Sequence, residues 1–282
     1  MKRKITITIK FAITTIVLVF FLFPIYWIVI TAFKPEAEWF TLPPTFWPTK
    51  WTLSNFLGTG STTFGTTTTS IAGIKPFLRN SIVVATTTSI VSTFIAALAA
   101  YSISRTKIGG TGLVGWFISM RFLPPIASAI PLYVIFTRIK LLNTWFALIL
   151  PYLVPTTALS IWLLISFFNE IPQEIEEAAY IDGASATKTF IYVVLPLSAP
   201  GLAAAAILSF IQSWGEFLLA LVLTSNASAQ TLPVYLGRYI TGWRVAWGPL
   251  SAAGLVTMLP VVIFALITQR FLIRGLTLGA IK

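Results

Sequence analysis

Five of the chain's eight carboxylates, Glu170, Glu174, Glu176, Glu177 and Asp182, fall between Asn169 and Pro196. Acids grouped in one polar stretch suit a contact surface. The 282 residues contain no histidine and no cysteine. Disulfides, thiolate chemistry, zinc sites and Ser-His-Asp or Cys-His catalysis in their usual forms are therefore excluded. A sixth carboxylate, Glu216, stands inside an apolar run beside Gln212 and Trp214. A charge at the bilayer centre costs about 2.5–3.5 kcal/mol on insertion scales, so Glu216 must face a bundle interior or water. Two roles fit it equally: a bond to a neighbouring helix, or a place on a translocation path with Gln212 and Trp214.

The segment 169–196 carries its own helical patterning. Pro172 suits a first helical turn, where its missing N–H does no harm. The acids that follow suit the positive end of the helix dipole. Gly183 supplies a stop, because a left-handed residue there carries no Cβ penalty. Ile175, Ala178, Ala179 and Asp182 recur at i, i+3, i+4 and i+7, giving one small and mostly apolar face. A helix this short is marginal in water, so packing must hold it. Charge and periodicity alone allow a capped surface loop as well as a docking peg.

The residue pattern is more specific. Glu177-Ala178-Ala179, three residues, Gly183, nine residues, then Val193-Val194-Leu195-Pro196 resembles the EAA signature of binding-protein-dependent ABC importer permeases. The family pattern is E-A-A, three residues, G, nine residues, then I-x-L-P, and Val193 for Ile is the single departure. Other stretches are similar to carbohydrate-type members, closest to the maltose-type half: 33–38 with 53–56, 120–125, 130–133, the Trp214-Gly215-Glu216-Phe217 turn and the tail from Gln269. The resemblance implies an all-α integral membrane protein of type I importer fold, with 169–196 containing a coupling helix seated in a separate ATPase subunit. It places Glu177, Ala178, Ala179, Asp182, Gly183, Val193, Leu195 and Pro196 in coupling. It brings the tail, with Gly275, Leu276 and Lys282, to the ATPase dimer. It sets the loop holding Tyr235, Tyr239 and Trp243 against an extracellular solute-binding protein. A second permease, a sugar substrate and membrane lipids complete the partners. This chain binds no cofactor itself, and ATP with Mg belongs to the ATPase.

Composition supports the membrane class independently. The chain is 56% hydrophobic and only 10% charged, against about 25% charged in soluble domains. Apolar runs of span length place six helices near 11–33, 81–104, 113–136, 144–168, 201–224 and 250–268, one transmembrane domain throughout. The +11 net charge is scattered between these runs, which reads as headgroup anchoring and not as a nucleic-acid face. Pro124, Pro125 and Pro131 break the third run, and the Arg121 within it is read as an interfacial anchor. Ala203–Ala206 allow close helix packing in the fifth. Gly110–Gly115 matches G-x-G-x-x-G but joins two spans instead of opening a βαβ unit, and no Walker A sequence occurs, so ATP must be held elsewhere. Gly58–Ser70 is Thr-rich and low in complexity, with no means to build a core. The aromatic residues of 225–249 suit an interfacial belt as well as sugar stacking.

Six spans put both termini on one side. Assigning that side to the cytoplasm of a prokaryotic cell membrane leaves ten basic residues inside and eight outside. The bias is clearer where Lys2, Arg3, Lys4, Lys10, Arg105 and Lys107 crowd the ends of spans, and the same assignment puts the docking segment where ATP is. Two rivals are weaker. An ion-coupled secondary transporter wants several intramembrane carboxylates and often an inverted repeat, and only Glu216 qualifies. A membrane-embedded enzyme lacks histidine, cysteine and paired carboxylates within a span.

Overall fold

The computed structural model describes residues 2–58 and 71–278; side chains of 2–6, 71–72, 111 and 268–278 lie outside the description. The Thr-rich segment 59–70 and Lys282 are therefore not described. The helices are α1 (Lys2–Phe33), α2 (Ser54–Leu57), α3 (Lys75–Thr106), α4 (Gly110–Ser119), α5 (Pro125–Arg138), α6 (Phe146–Glu170) and α7 (Gln173–Ile181). They continue as α8 (Ala186–Thr189), a π turn (Phe190–Val194), α9 (Leu195–Leu197), α10 (Ala199–Trp214), α11 (Leu218–Leu223), α12 (Leu232–Gly237) and α13 (Trp247–Leu278). No strand occurs among the described residues beyond an isolated bridge between Ile240 and Val245.

Four of these helices contain an unbroken stretch long and apolar enough to cross a membrane: 7–33, 75–106, 146–170 and 247–267. The third expected span is broken. Gly112–Phe122 and Pro125–Arg138 meet at 82°, because Pro124 is held extended and Pro125 restarts the helix without an N–H to donate. The fifth is interrupted at Gly215–Phe217, between α10 and α11. A second bend, of 76°, joins Ala186–Leu197 to Ala199–Trp214. The count reaches six only with each bent pair taken as one span.

The chain divides into two compact units. The first comprises 1–75 and 235–259, the second 76–234 and 260–282. In the second, small side chains set the packing. Ser81, Ala85, Ser89, Ser92, Ala96, Ala100 and Ser104 make a buried stripe along α3, the arrangement that lets membrane helices approach. Ser89 Oγ donates to the Ala206 carbonyl of α10 at 2.6 Å, and Ser160 meets Ser209 between α6 and α10 at 3.0 Å. Gly201 lies against the Phe167 ring so closely that a Cβ there would stand 2.5 Å from it. Asn80 is buried with every side-chain polar atom bonded: its amide donates to the Ala227 and Gln230 carbonyls, and its oxygen accepts from Trp145 Nε1, each at 3.0 Å.

In the first unit, the end of α1 leads into a polar knot. Lys34 Nζ donates to the Thr45 carbonyl and lies 4.4 Å from the centre of the Trp27 ring. Glu38 accepts from the Thr49 hydroxyl, from the Thr49 amide at 3.2 Å and from the Thr45 hydroxyl at 3.3 Å. The Thr49 hydroxyl is the main reason the Glu38 carboxyl lies below its ordinary range, against the opposing pull of burial. Burial lowers Lys34, partly offset by Glu38.

Candidate functional site

The acidic segment folds as a short helix with both ends defined. Pro172 stands one position earlier than expected, as the N-cap, with ψ at 136°. Its ring has no amide to leave unbonded, and its carbonyl accepts from Ile175 N. At the other end Gly183 adopts φ +82°. Gly183 N bonds Tyr180 O at 3.0 Å and Ala184 N bonds Ala179 O at 2.9 Å, the paired closure of a Schellman C-cap. Ser185 then caps α8 through Lys188 N.

What holds α7 is chiefly a charge that periodicity does not single out. Glu176 is 4% exposed. Its carboxylate pairs with the Arg105 guanidinium at 2.5 Å and accepts from the Tyr101 hydroxyl at 2.6 Å. Arg105 also donates to the Ile171 carbonyl in the link between α6 and α7. The Tyr101 ring packs on Phe168 of α6 and Phe190 of the π turn, at 5.7 and 4.7 Å between centroids. The sequence signal was a Tyr and an Arg four apart near the basic end of a span. Their partner lies 71 residues beyond Arg105, a pairing that periodicity cannot supply.

Glu176 faces inward, and its neighbours face out. Glu177, Ala178, Asp182 and Gly183 are exposed, with Ala179 half-buried. Ile175, Tyr180 and Ile181 add apolar surface, Ile181 being 86% exposed. The second half of the motif differs from the expected contact role. Leu195 packs against the core formed by Ala96, Ala100, Leu164, Phe168, Phe190 and Val194. Val193 is half-buried, and Pro196 lies just beyond the π turn. Pro196 withholds an amide from the Tyr192 carbonyl and its ring crowds that carbonyl, a physical cause for the wider turn.

A cavity of about 430 Å³ opens between α5, α6 and α10, within the range of small-molecule sites. Gln212 and Glu216 line it. Glu216 accepts from the Tyr152 hydroxyl at 2.5 Å, from Leu219 N at 2.8 Å and from Ala220 N at 3.1 Å. Glu216 thus bonds a neighbouring helix, the first role read for it, and also borders the cavity. Trp214 does not join them; it is buried and stacks on Phe210 at 5.4 Å. Arg121, read as an interfacial anchor, instead lines this cavity with Ser128, Pro131, Pro151 and Pro155.

The outer-loop residues also separate. Tyr235 and Tyr239 are 3% and 7% exposed and meet edge to face at 5.8 Å. The expectation that they present rings to a partner is corrected: burial, which also raises the Tyr235 hydroxyl pKa, makes them interior. Trp243 is 98% exposed, at the tip of a tight turn in which Thr241 N bonds Arg244 O at 2.9 Å. Arg244 pairs with Glu36 at 2.7 Å and anchors the turn. Asn226 Oδ1 accepts from Ser228 N at 3.0 Å and closes a local turn. In the tail, Gly275 and Leu276 continue α13, while Lys282 lies outside the described residues.

Among the described residues the fold is that of an all-helical, multi-pass membrane protein with two bent segments and a capped acidic helix between α6 and α10. The family model described as binding-protein-dependent transport system inner membrane component matches residues 89–278. Among relatives, the sulfoquinovosyl glycerol transport system permease SmoH of Agrobacterium fabrum is 37% identical over 97% of this chain and 93% of its own length. The trehalose/maltose transport system permease MalG of Thermococcus litoralis is 34% identical over 93% and 91%. A chain in the crystal structure of a bacterial ABC transporter that imports the acidic polysaccharide alginate aligns with a TM-score of 0.71 at 22% identity, covering 95% of this chain and 97% of that one. The chain belongs to the binding-protein-dependent transport system inner membrane component family, as a permease subunit of a carbohydrate ABC importer with the type I fold.

Proposed function

We propose that this permease couples ATP hydrolysis in a separate subunit to sugar import by docking α7 into that subunit. The observation that carries the reading is the outward face of α7. Ile175, Ala178 and Ile181 are left uncovered on a helix that is capped at both ends and anchored from behind through Glu176. Glu177, Asp182 and Gly183 stand on that outer side with Ala178 and Ala179. Val193, Leu195 and Pro196 serve as the joint behind it. The complex contains a second related permease, two ATPase subunits holding ATP and Mg, and an extracellular solute-binding protein that meets Trp243. The tail containing Gly275, Leu276 and Lys282 adds contact to the ATPase. Both termini are cytoplasmic, and this chain itself performs no catalysis.

The transported sugar passes the cavity bordered by Gln212 and Glu216. A maltose-, maltodextrin- or trehalose-like saccharide agrees with the trehalose/maltose relative. A second reading rests on Arg121, which lines the same cavity with no hydrogen bond or ion pair among the described residues. A glycoside bearing an acidic group would satisfy it, and the sulfoquinovosyl glycerol relative agrees with that. Calorimetric titration of the cognate binding protein with trehalose, maltose and sulfoquinovosyl glycerol separates the two.

Docking is tested in the assembled complex. The chain lacks cysteine, so Ala178→Cys with a bifunctional crosslinker reports one position. The expected product joins this chain to the ATP-hydrolysing subunit. Its absence from a transporting complex rejects the reading.

A further inference from the structure

The anchor behind α7 has a function of its own. We propose that Glu176, clamped by Arg105 and Tyr101, is the contact through which α7 displaces α3. This rests on the docking reading, and it names the span that receives the movement. By covalent connection α7 is continuous only with α6, through Ile171 and Pro172, and with α8, through 182–185. α3 is remote in sequence and reaches α7 through side chains alone.

The geometry is that of a clamp. Arg105 Nε and Nη2 both reach Glu176 Oε1, at 2.6 and 2.5 Å, and Tyr101 takes Oε2 at 2.6 Å. Both carboxylate oxygens are therefore engaged, each from α3. Arg105 Nη2 also holds the Ile171 carbonyl at 3.2 Å, so one guanidinium grips the helix and the strap leading into it. A planar fork bound in this way resists sliding in a manner that an ammonium does not. The pair is almost withdrawn from solvent, with side-chain exposures of 14% and 6%. Separating it would leave a buried charge unpaired, which is the costly way to break an ion pair.

Adjacent acids divide the work. Glu176 points to α3 and Glu177 points outward, as expected for neighbours about 100° apart on a helix. α3 in turn carries Ser89, whose hydroxyl donates to the Ala206 carbonyl of α10. α10 supplies Gln212 and Ser213 to the cavity wall. Glu176, Arg105 and Tyr101 are thus positioning residues between the docking face and the helix beside the path. Coupling between α7 and α3 is a displacement, and a distance between the two helices reads it.

The complex of this chain with its second permease and ATPase subunits is placed in nanodiscs, with spin labels at Glu174→Cys on α7 and Ser102→Cys on α3. In the parent, the electron–electron distance is expected to be narrow and unchanged between the nucleotide-free and ATP–vanadate states. With Glu176→Ala it should broaden or shift by ~5 Å, about one helical turn, when ATP–vanadate is added. Arg105→Lys, which keeps the charge and loses the fork, should fall between. An unchanged narrow distance in Glu176→Ala overturns the proposal, as does a parent distance that already differs between states. Glu176→Met keeps the side-chain length without an oxygen acceptor and serves where Glu176→Ala fails to assemble; the same unchanged result there is equally decisive. Crosslinking at Ala178 is scored separately. A missing crosslink with a preserved distance response removes the docking reading and leaves the clamp, whereas the reverse removes only the clamp.

Discussion

Glu216 and Glu38 show two ways of keeping a carboxylate in a lipid-facing protein. Glu216 combines one hydroxyl donor with two amides at the start of α11. Tyr152→Phe should lower stability by about 1.5 kcal/mol, the low end for a bond to a charged acceptor, because the two amides remain. The melting midpoint of the purified subunit measures it; an unshifted midpoint would mean that the hydroxyl contributes nothing net. Glu38 is held below its usual range chiefly by the Thr49 hydroxyl. Its folded pKa is therefore lower than its unfolded one, near 4.3. The stabilisation is complete above the unfolded value and disappears as pH falls through the folded one. Between about pH 5 and pH 3 the native protein should lose thermal stability more steeply than Glu38→Gln. Parallel slopes in a pH series of melts would refute this.

At the scale of elements, close approach is set by individual glycines. Gly201 on α10 abuts Phe167 on α6, and an added Cβ would stand 2.5, 2.8 and 2.9 Å from three of its atoms. Gly201→Ala should cost about 1–3 kcal/mol as overpacking. Gly254, with nothing within 4 Å of an added Cβ, is the control: Gly254→Ala should be neutral or stabilise α13 by up to about 1 kcal/mol. Denaturation of the two variants side by side reads the contrast, and equal losses would reject the steric argument. The same scale explains what was legible in the sequence. Apolar run length located the long helices, and Gly183 announced the end of α7 because only one backbone conformation closes that cap cheaply. Pro124 and Pro125 marked a break without its 82° angle, which depends on what packs around it. The positions of Arg121, Trp214 and Tyr239 were not legible. A ring or a guanidinium next to a broken helix can turn either way, and periodicity does not decide which.

For the molecule as a whole, the expected orientation makes a direct prediction. In that six-span orientation Lys107, in the link between α3 and α4, and Trp243, at the tip of the anchored turn, would be reached from opposite sides of the membrane. Lys107→Cys should react with an impermeant maleimide only in inverted vesicles, and Trp243→Cys in intact cells whose outer barrier has been opened. Labelling of both from one side would overturn the six-span topology. The long apolar helix α1 carries a further consequence. Only 17% of its most apolar stretch is covered by the chain itself, and residues such as Phe11, Phe20 and Phe21 stand bare. Packing between spans, unlike burial from water, gains little from simply swapping lipid for another apolar surface. A companion subunit that packs on this bare face would stabilise the chain by mass action, and a chain without one would lack that contribution. Cells making it in excess would accumulate orphans for quality-control proteases, so balanced synthesis of the subunits follows from the bareness of a single helix.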